Sequence, residues 1–186
     1  MNKQTGLLRY KHKWSSVYRK TVLYTSLLAI LILGVLLCLK FVIWPWLFYS
    51  AVKDGDVKRV RYYIDRGVYV NTSDTGHTTA LMAASNSGYA DIVTILIERG
   101  ANVHARDGWH GTAMMYAAVN GHLKVVKRLL EHGVPVNERS RMDRTPLMWA
   151  SLNGHDLIIG YLLENGADRN LVDEEGKTAE DLSKGE

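Results

Sequence analysis

The sequence predicts an all-α protein in which stacked helix pairs follow one long apolar helix. Two glycine series and one threonine series each recur every 33 residues. A repeat of this length over several copies is typical of a solenoid, whose units bury their apolar faces against each other. Residues 22–39 carry no charge, which indicates a separate apolar helix before the repeats. The three series are Gly55, Gly88, Gly121 and Gly154; Gly67, Gly100, Gly133 and Gly166; and Thr79, Thr112, Thr145 and Thr178.

Residues 1–20 form a basic segment with six Lys or Arg residues and no acidic residue. Such a tail beside an apolar run is typical of the cytoplasmic flank of a membrane helix, and we favour this over a nucleic-acid-binding arm. Residues 51–186 hold 16 of the 23 Lys and Arg residues and all 19 acidic residues. The overall charge of +4 therefore belongs to the tail and does not indicate that the repeats bind nucleic acid.

Residues 21–44 are predicted to form a transmembrane helix. The apolar run 22–43 has Lys40 as its single charged residue and is about 33 Å long as a helix, enough for a hydrocarbon core of about 30 Å. Trp44 and Trp46 suit the membrane interface. A cleavable signal peptide is the main alternative, but no small-x-small cleavage site follows the run.

The distribution of Lys and Arg favours an N-terminus in the cytoplasm and repeats on the other side of the membrane, which in a bacterium would be the periplasm. The tail has six cationic residues, and the twenty residues after Leu39 have four. The single cysteine, Cys38, lies in the apolar run, so cysteine usage does not decide the redox compartment.

The stretch 145–170 shows how each repeat is built. Thr145 offers an N-cap oxygen, and Pro146 has φ preset for the first helical turn. Two apolar runs follow and stop at Gly154 and Gly166, because glycine is the usual left-handed residue after a helix. Each unit is thus a helix, a tight turn, an antiparallel helix and a loop.

Three segments share one motif: TALMAASNSGY from Thr79, TAMMYAAVNGH from Thr112 and TPLMWASLNGH from Thr145. On these residues the chain resembles the ankyrin-repeat family, whose signature is TPLHxAAxxGH. The resemblance implies an ankyrin-repeat solenoid over residues 45–184, with about four helix pairs and a C-terminal half-repeat cap that contains a short helix at 177–182. Residues 46–70 are expected to form a degenerate first repeat, with Pro45 breaking the incoming helix.

One departure from the family pattern is systematic. The histidine of TPLH, which in the family supports the turn by hydrogen bonding, is replaced here by Met82, Met115 and Met148. Methionine is an apolar residue that fills gaps, so the resemblance implies looser turns in this chain.

The sequence contains no enzyme signature: it has no glycine-rich phosphate loop in a strand-to-helix setting and no GxSxG motif. We therefore predict no catalytic residue, cofactor, metal site or small-molecule substrate. His122 and His155 occupy the family's GH position, which implies a structural role. His104 and His110, with Asp107 between them, could hold a metal ion only weakly, since no HxxxH or CxxC spacing supports a site.

In the ankyrin family, partners bind the hairpin tips and the exposed face of the inner helices. By register, the tips are residues 75–76, 108–109, 141–142 and 174–175. Trp, Tyr and Arg dominate binding hot spots. Alternatively, Tyr116 and Trp149 pack between repeats, and Trp109 folds over the next hairpin. The predicted partner-binding residues are Trp109, Tyr116, Trp149, Arg106, Arg139, Arg141, Met142, Asn120 and Leu152.

These observations favour a single-pass, membrane-anchored protein that binds a protein partner without catalysis, as an adaptor or as an inhibitor of the immunity type. The alternative is a structural subunit or assembly factor of a membrane complex, in which the apolar helix would contact other helices. That helix contains Ser26 and Gly34 but no GxxxG pattern, so its packing signal is weak.

Overall fold

The structure, a computed structural model, describes residues 3–184, with side chains at Tyr18 and from Lys20 onward. The described residues divide into two units at the bond between Trp44 and Pro45. The secondary structure is helical throughout, apart from loops and one isolated β-bridge between Ser73 and Thr79. The helices are α1 Lys3–Cys38, α2 Trp44–Lys53, α3 Val57–Asp65, α4 Ala80–Asn86, α5 Ala90–Glu98, α6 Ala113–Val119, α7 Leu123–Glu131, α8 Pro146–Leu152, α9 Asp156–Glu164 and α10 Ala179–Ser183.

The first unit consists of α1 and the chain up to Trp44. Among the described residues, one helical stretch, Lys20–Lys53, is long and apolar enough to cross a membrane, and none of its most apolar 18-residue window is buried. The apolar helix predicted over residues 21–44 lies within this longer stretch.

The helical backbone does not break at Pro45, so that expectation was wrong. Leu39–Ile43 form a π-helical turn in which the Trp44 N–H donates to the carbonyl of Leu39, five residues back. Pro45 is the second residue of α2. Proline has no N–H to donate to the preceding turn, and the π-helical turn lies directly before it, so the chain stays helical without that hydrogen bond.

The second unit is the predicted all-α solenoid. The pairs α2–α3, α4–α5, α6–α7 and α8–α9 are four repeats, and α10 begins a fifth. The inner helices α4, α6, α8 and α10 pack on one another in that order, and the outer helices α3, α5, α7 and α9 do the same. The cap helix begins at Ala179 rather than at residue 177, because Thr178 is its N-cap.

Glycine after the inner helix of each of the first three repeats allows the next repeat to approach closely. Gly88 has φ +76°, and a Cβ built on it would lie 2.6 Å from Nδ1 of the His122 ring. The ring of His155 lies in the same way on Gly121, and that of Tyr89 on Gly55. Nε2 of His122 lies 3.0 Å from the carbonyl oxygen of Asn86, so the ring joins two repeats by packing and by a hydrogen bond.

We expect Gly88→Ala to lower the free energy of unfolding by about 2 kcal/mol, because the new methyl group is strained at positive φ and also meets the His122 ring. Gly154→Ala is the matched control: Gly154 has φ +67°, but a Cβ added there would have no neighbouring atom within 4 Å. Strain alone should cost it about 1 kcal/mol. Urea unfolding followed by circular dichroism checks the difference, and equal losses would show that the ring contact contributes nothing.

Two of the three methionines that replace the histidine of the signature, Met82 and Met148, close turns that the resemblance implied to be looser. The Thr79 N–H donates to Sδ of Met82 at 3.4 Å, and Oγ1 of Thr79 accepts from the Met82 N–H at 3.3 Å. Thr145 and Met148 repeat both bonds at the same distances. A thioether is a weak acceptor, yet it completes a reciprocal cap at the start of these two inner helices.

Candidate partner-binding groove

A groove with a volume of about 630 Å³ lies in the second unit, between the hairpins and the inner helices of the middle repeats. Its size is within the range of protein pockets that hold a ligand or a side chain of a partner. Six of the nine residues predicted to bind a partner line it: Trp109, Tyr116, Asn120, Arg141, Met142 and Trp149. Asn86, Asp107, Gly111, Met115, Val119, Ser140 and Glu174 complete the lining.

Trp109 lies at a hairpin tip, and 73% of its surface is exposed, so it does not fold over the next hairpin. Trp149 is half-buried, and the guanidinium of Arg144 lies 5.3 Å from the centre of its ring. Arg141 makes no side-chain hydrogen bond or ion pair with any residue that the structure describes. The groove therefore offers two partly accessible indole rings and an unengaged cation.

The other three predicted residues lie outside the groove lining. Nη1 of Arg106 donates to the carbonyl of Arg139 at 2.6 Å, and Nη1 of Arg139 donates to the carbonyl of Val172 at 3.2 Å. These two arginines tie consecutive hairpins together, which holds the tips in place. Leu152 is exposed at the end of α8.

Asp107 organises the hairpin that carries Trp109. Its side chain is buried, and Oδ1 accepts from the N–H groups of Trp109 and Gly111, both at 2.8 Å. Oδ2 accepts from the Tyr116 hydroxyl. Burial, together with the bond to this carboxylate, raises the pKa of Tyr116 to about 12, so the hydroxyl remains a donor well into the alkaline range. One carboxylate thus fixes both the tip and an inner-helix side chain that lines the groove.

The residues 33 positions before and after Asp107 occupy the same place in their own hairpins. The hydrogen-bond partner of the side chain at this place differs from repeat to repeat. Asp74, one repeat earlier, is exposed and accepts from the Tyr49 hydroxyl at 3.1 Å. Asp173, two repeats later, is buried and accepts from Nε of Arg144 at 3.0 Å. The third hairpin has Ser140 at this position, and its buried Oγ has no hydrogen-bond partner among the described residues. This position was not predicted as part of the site, although its spacing follows the repeat.

Low pH should destabilise the second unit, because it protonates the carboxylate of Asp173. Burial alone would raise the pKa of its carboxyl, but hydrogen bonds from the Lys177 N–H, the Arg144 guanidinium and the Glu175 N–H outweigh it and hold the pKa below its ordinary value. A depressed pKa stabilises the fold above the unfolded-state pKa, and this stability is lost as pH falls through the folded-state value. The difference in the free energy of unfolding between the wild-type chain and Asp173→Asn should therefore be largest near neutral pH and shrink below about pH 4. Urea unfolding of both proteins from pH 7 to pH 2 checks this, and a loss independent of pH would contradict it.

Two histidines, His122 and His155, connect neighbouring repeats. Nε2 of His155 lies 2.9 Å from the carbonyl oxygen of Val119, as Nε2 of His122 lies against Asn86, in line with their predicted structural role. Nδ1 of His104 lies 3.6 Å from a carboxylate oxygen of Glu138. Within the described residues, no group of three or more His, Cys, Asp or Glu side chains is placed to hold a metal ion.

Comparison with known proteins agrees with this architecture. A family model described as ankyrin repeats (three copies) matches residues 45–107 and 105–173, which is more than half of the chain. No curated protein matches the chain significantly. Ankyrin repeats in general are non-enzymatic modules that bind other proteins. The chain belongs to the ankyrin-repeat family.

Proposed function

We propose that this protein is a membrane-anchored ankyrin-repeat protein that binds a protein partner through its groove and the adjoining hairpin tips, as an adaptor or an inhibitor. The observation that carries the proposal is the exposed Trp109 at the mouth of a groove whose wall includes Trp149. Burial of a large indole ring on association is strongly favourable, and here two such rings belong to one groove. Binding hot spots are rich in Trp, Tyr and Arg, and the groove contains all three.

The rigidity of the groove favours binding as well. The hairpin tips are held by Arg106, Arg139 and Asp107, so a partner meets side chains that are already positioned. Preorganised surfaces lose less conformational entropy on association than mobile ones. Within the proposed site, Trp109, Tyr116, Trp149, Arg141, Met142 and Asn120 contact the partner, Leu152 extends the surface, and Arg106 and Arg139 position the tips.

The membrane anchor in this proposal is the helix over residues 21–44, with a basic cytoplasmic tail at 1–20 and the ankyrin domain at 45–184. The tether restricts binding to partners that reach the membrane. The excess of Lys and Arg in the tail supports a cytoplasmic N-terminus. In a protease-protection assay on sealed vesicles of known sidedness, cleavage of the repeats from the extracytoplasmic side is expected, and cleavage only from the cytoplasmic side would reverse the orientation.

Co-purification tests the binding function against the alternative of a structural subunit or assembly factor. The full chain is extracted in mild detergent and purified by a C-terminal tag, and the mass of the purified species is measured by native mass spectrometry. A partner that dissociates on dilution and leaves a monomer supports the proposal. A fixed complex that survives dilution and whose contacts involve the apolar helix supports the alternative.

A further inference from the structure

Two asparagines in the groove form a pair with unused hydrogen-bonding atoms. Nδ2 of Asn120 donates to Oδ1 of Asn86 at 3.0 Å and to the carbonyl of Tyr116 at 2.9 Å, which uses both of its hydrogens. Within the described residues, Nδ2 of Asn86 and Oδ1 of Asn120 have no partner. The pair therefore presents one donor and one acceptor, and both residues are exposed. A peptide group presents the complementary acceptor and donor.

A second polar group in the groove lining is the hydroxyl of Ser140. Ser140 is 8% exposed, and its Oγ has no hydrogen-bond partner among the described residues. A buried hydroxyl without a partner is unfavourable, and a polar atom of a ligand would satisfy it. Ser140 belongs to a hairpin, whereas Asn86 and Asn120 lie at the C-terminal ends of α4 and α6. The groove thus has polar groups both on its hairpin side and at the ends of the inner helices.

Part of the groove lining is apolar, and the helix beside it is short. The apolar part includes Met115, Val119 and Trp149. The helix α6, which runs beside it, has seven residues and is about 10 Å long. An extended chain advances about 3.3 Å per residue, so about three residues of a strand would cover this distance.

The groove carries little net charge. Arg141 and Glu174 on its rim have opposite signs, and neither side chain is paired with another described residue. Asp107 adds one buried negative charge, but its carboxylate is already occupied by three neutral donors and is not available to an occupant. An uncharged occupant therefore fits better than a strongly acidic or basic one.

We propose that the groove binds an extended, uncharged segment of the partner, which lays a bulky apolar side chain against Trp149 and Met115. A main-chain peptide group of the segment pairs with Asn86 and Asn120. Another polar main-chain atom bonds to Ser140, whose enclosed Oγ reaches the groove by rotation about χ1. This inference rests on the proposed function and adds the class of partner: a linear segment rather than the surface of a folded domain.

The test uses the full chain, purified in detergent, and a phage-displayed library of random linear heptapeptides. Enriched peptides are expected to share one bulky apolar residue flanked by uncharged residues. For the best peptide, Asn120→Leu should weaken binding about tenfold, the effect of losing one well-placed hydrogen bond. Asn153→Leu is the matched control, because Asn153 makes the same bond to the carbonyl of Trp149 at the end of α8 but does not line the groove.

Backbone methylation of the peptide separates main-chain pairing from side-chain effects. One N-methyl position next to the apolar residue should weaken binding to the wild-type chain about tenfold and have no further effect on Asn120→Leu. Equal binding of all N-methylated peptides would overturn the inference. A library without enriched peptides, with a co-purified protein still held by the groove, would also overturn it and leave the proposed function standing. If neither peptides nor a protein bind, both fail.

Discussion

Replacing Trp109 and Trp149 together by alanine is expected to weaken capture of the partner by at least about a hundredfold. Each tryptophan at the centre of an interface typically contributes about 2 kcal/mol or more, and the two effects are not fully additive. Stability should change little at Trp109, because 73% of its surface is exposed and it supports no core. Trp149 is half-buried and stacks with Arg144, so its loss should lower stability modestly.

The measurement is co-purification of the partner from membranes, with circular dichroism and thermal unfolding on the same samples. Tyr69→Ala is the matched control, since Tyr69 is 70% exposed and lies outside the groove. Capture that survives in the folded double variant would exclude the groove as the binding site. If the double variant loses its cooperative unfolding, Trp109→Ala alone decides, because this ring makes no core contact.

The second large effect concerns stability. Asp107→Ala is expected to lower the free energy of unfolding by about 4 kcal/mol, because the N–H groups of Trp109 and Gly111 and the hydroxyl of Tyr116 lose their acceptor together. Asp74→Ala removes the carboxylate at the same position one repeat earlier. Asp74 is exposed, so water can replace it there, and we expect a loss of about 1 kcal/mol.

Urea unfolding of the two variants and the wild-type chain compares these losses directly. Amide hydrogen exchange at the N–H groups of Trp109 and Gly111 reports whether the hairpin tip keeps its structure, and it should become faster in Asp107→Ala before global unfolding begins. Losses of equal size would mean that the buried carboxylate does not organise the tip. Tyr116→Phe removes one of the three donors to Asp107. Its loss in the free energy of unfolding should lie between those of Asp74→Ala and Asp107→Ala.

The solenoid could be predicted from the sequence because its period is carried by backbone requirements. A glycine with positive φ, as at Gly88, and an N-cap hydroxyl, as at Thr145, recur at fixed points in the second, third and fourth repeats. The exposure of Trp109 was predictable for a related reason: a hairpin tip has no core to enter. The accessibility of the tips thus follows from register alone.

Other features depend on geometry between repeats that spacing does not reveal. Arginines near a tip resemble a hot spot in composition, yet Arg106 and Arg139 donate to carbonyls of the following hairpins. Whether the Sδ of Met82 reaches the N–H of Thr79 is decided by a rotamer. The unpartnered Ser140 could be noticed only as the exception in a series otherwise occupied by aspartate.

Site-specific photocrosslinking in intact membranes tests most directly whether the groove is the binding surface. A photoreactive residue is placed at Trp109, in the groove, or at Leu157, which is 77% exposed on the outer helix α9. We expect a discrete protein adduct from position 109 and none of the same mass from position 157. An adduct from position 157 with none from position 109 would contradict the proposal and place the binding surface on the outer helices.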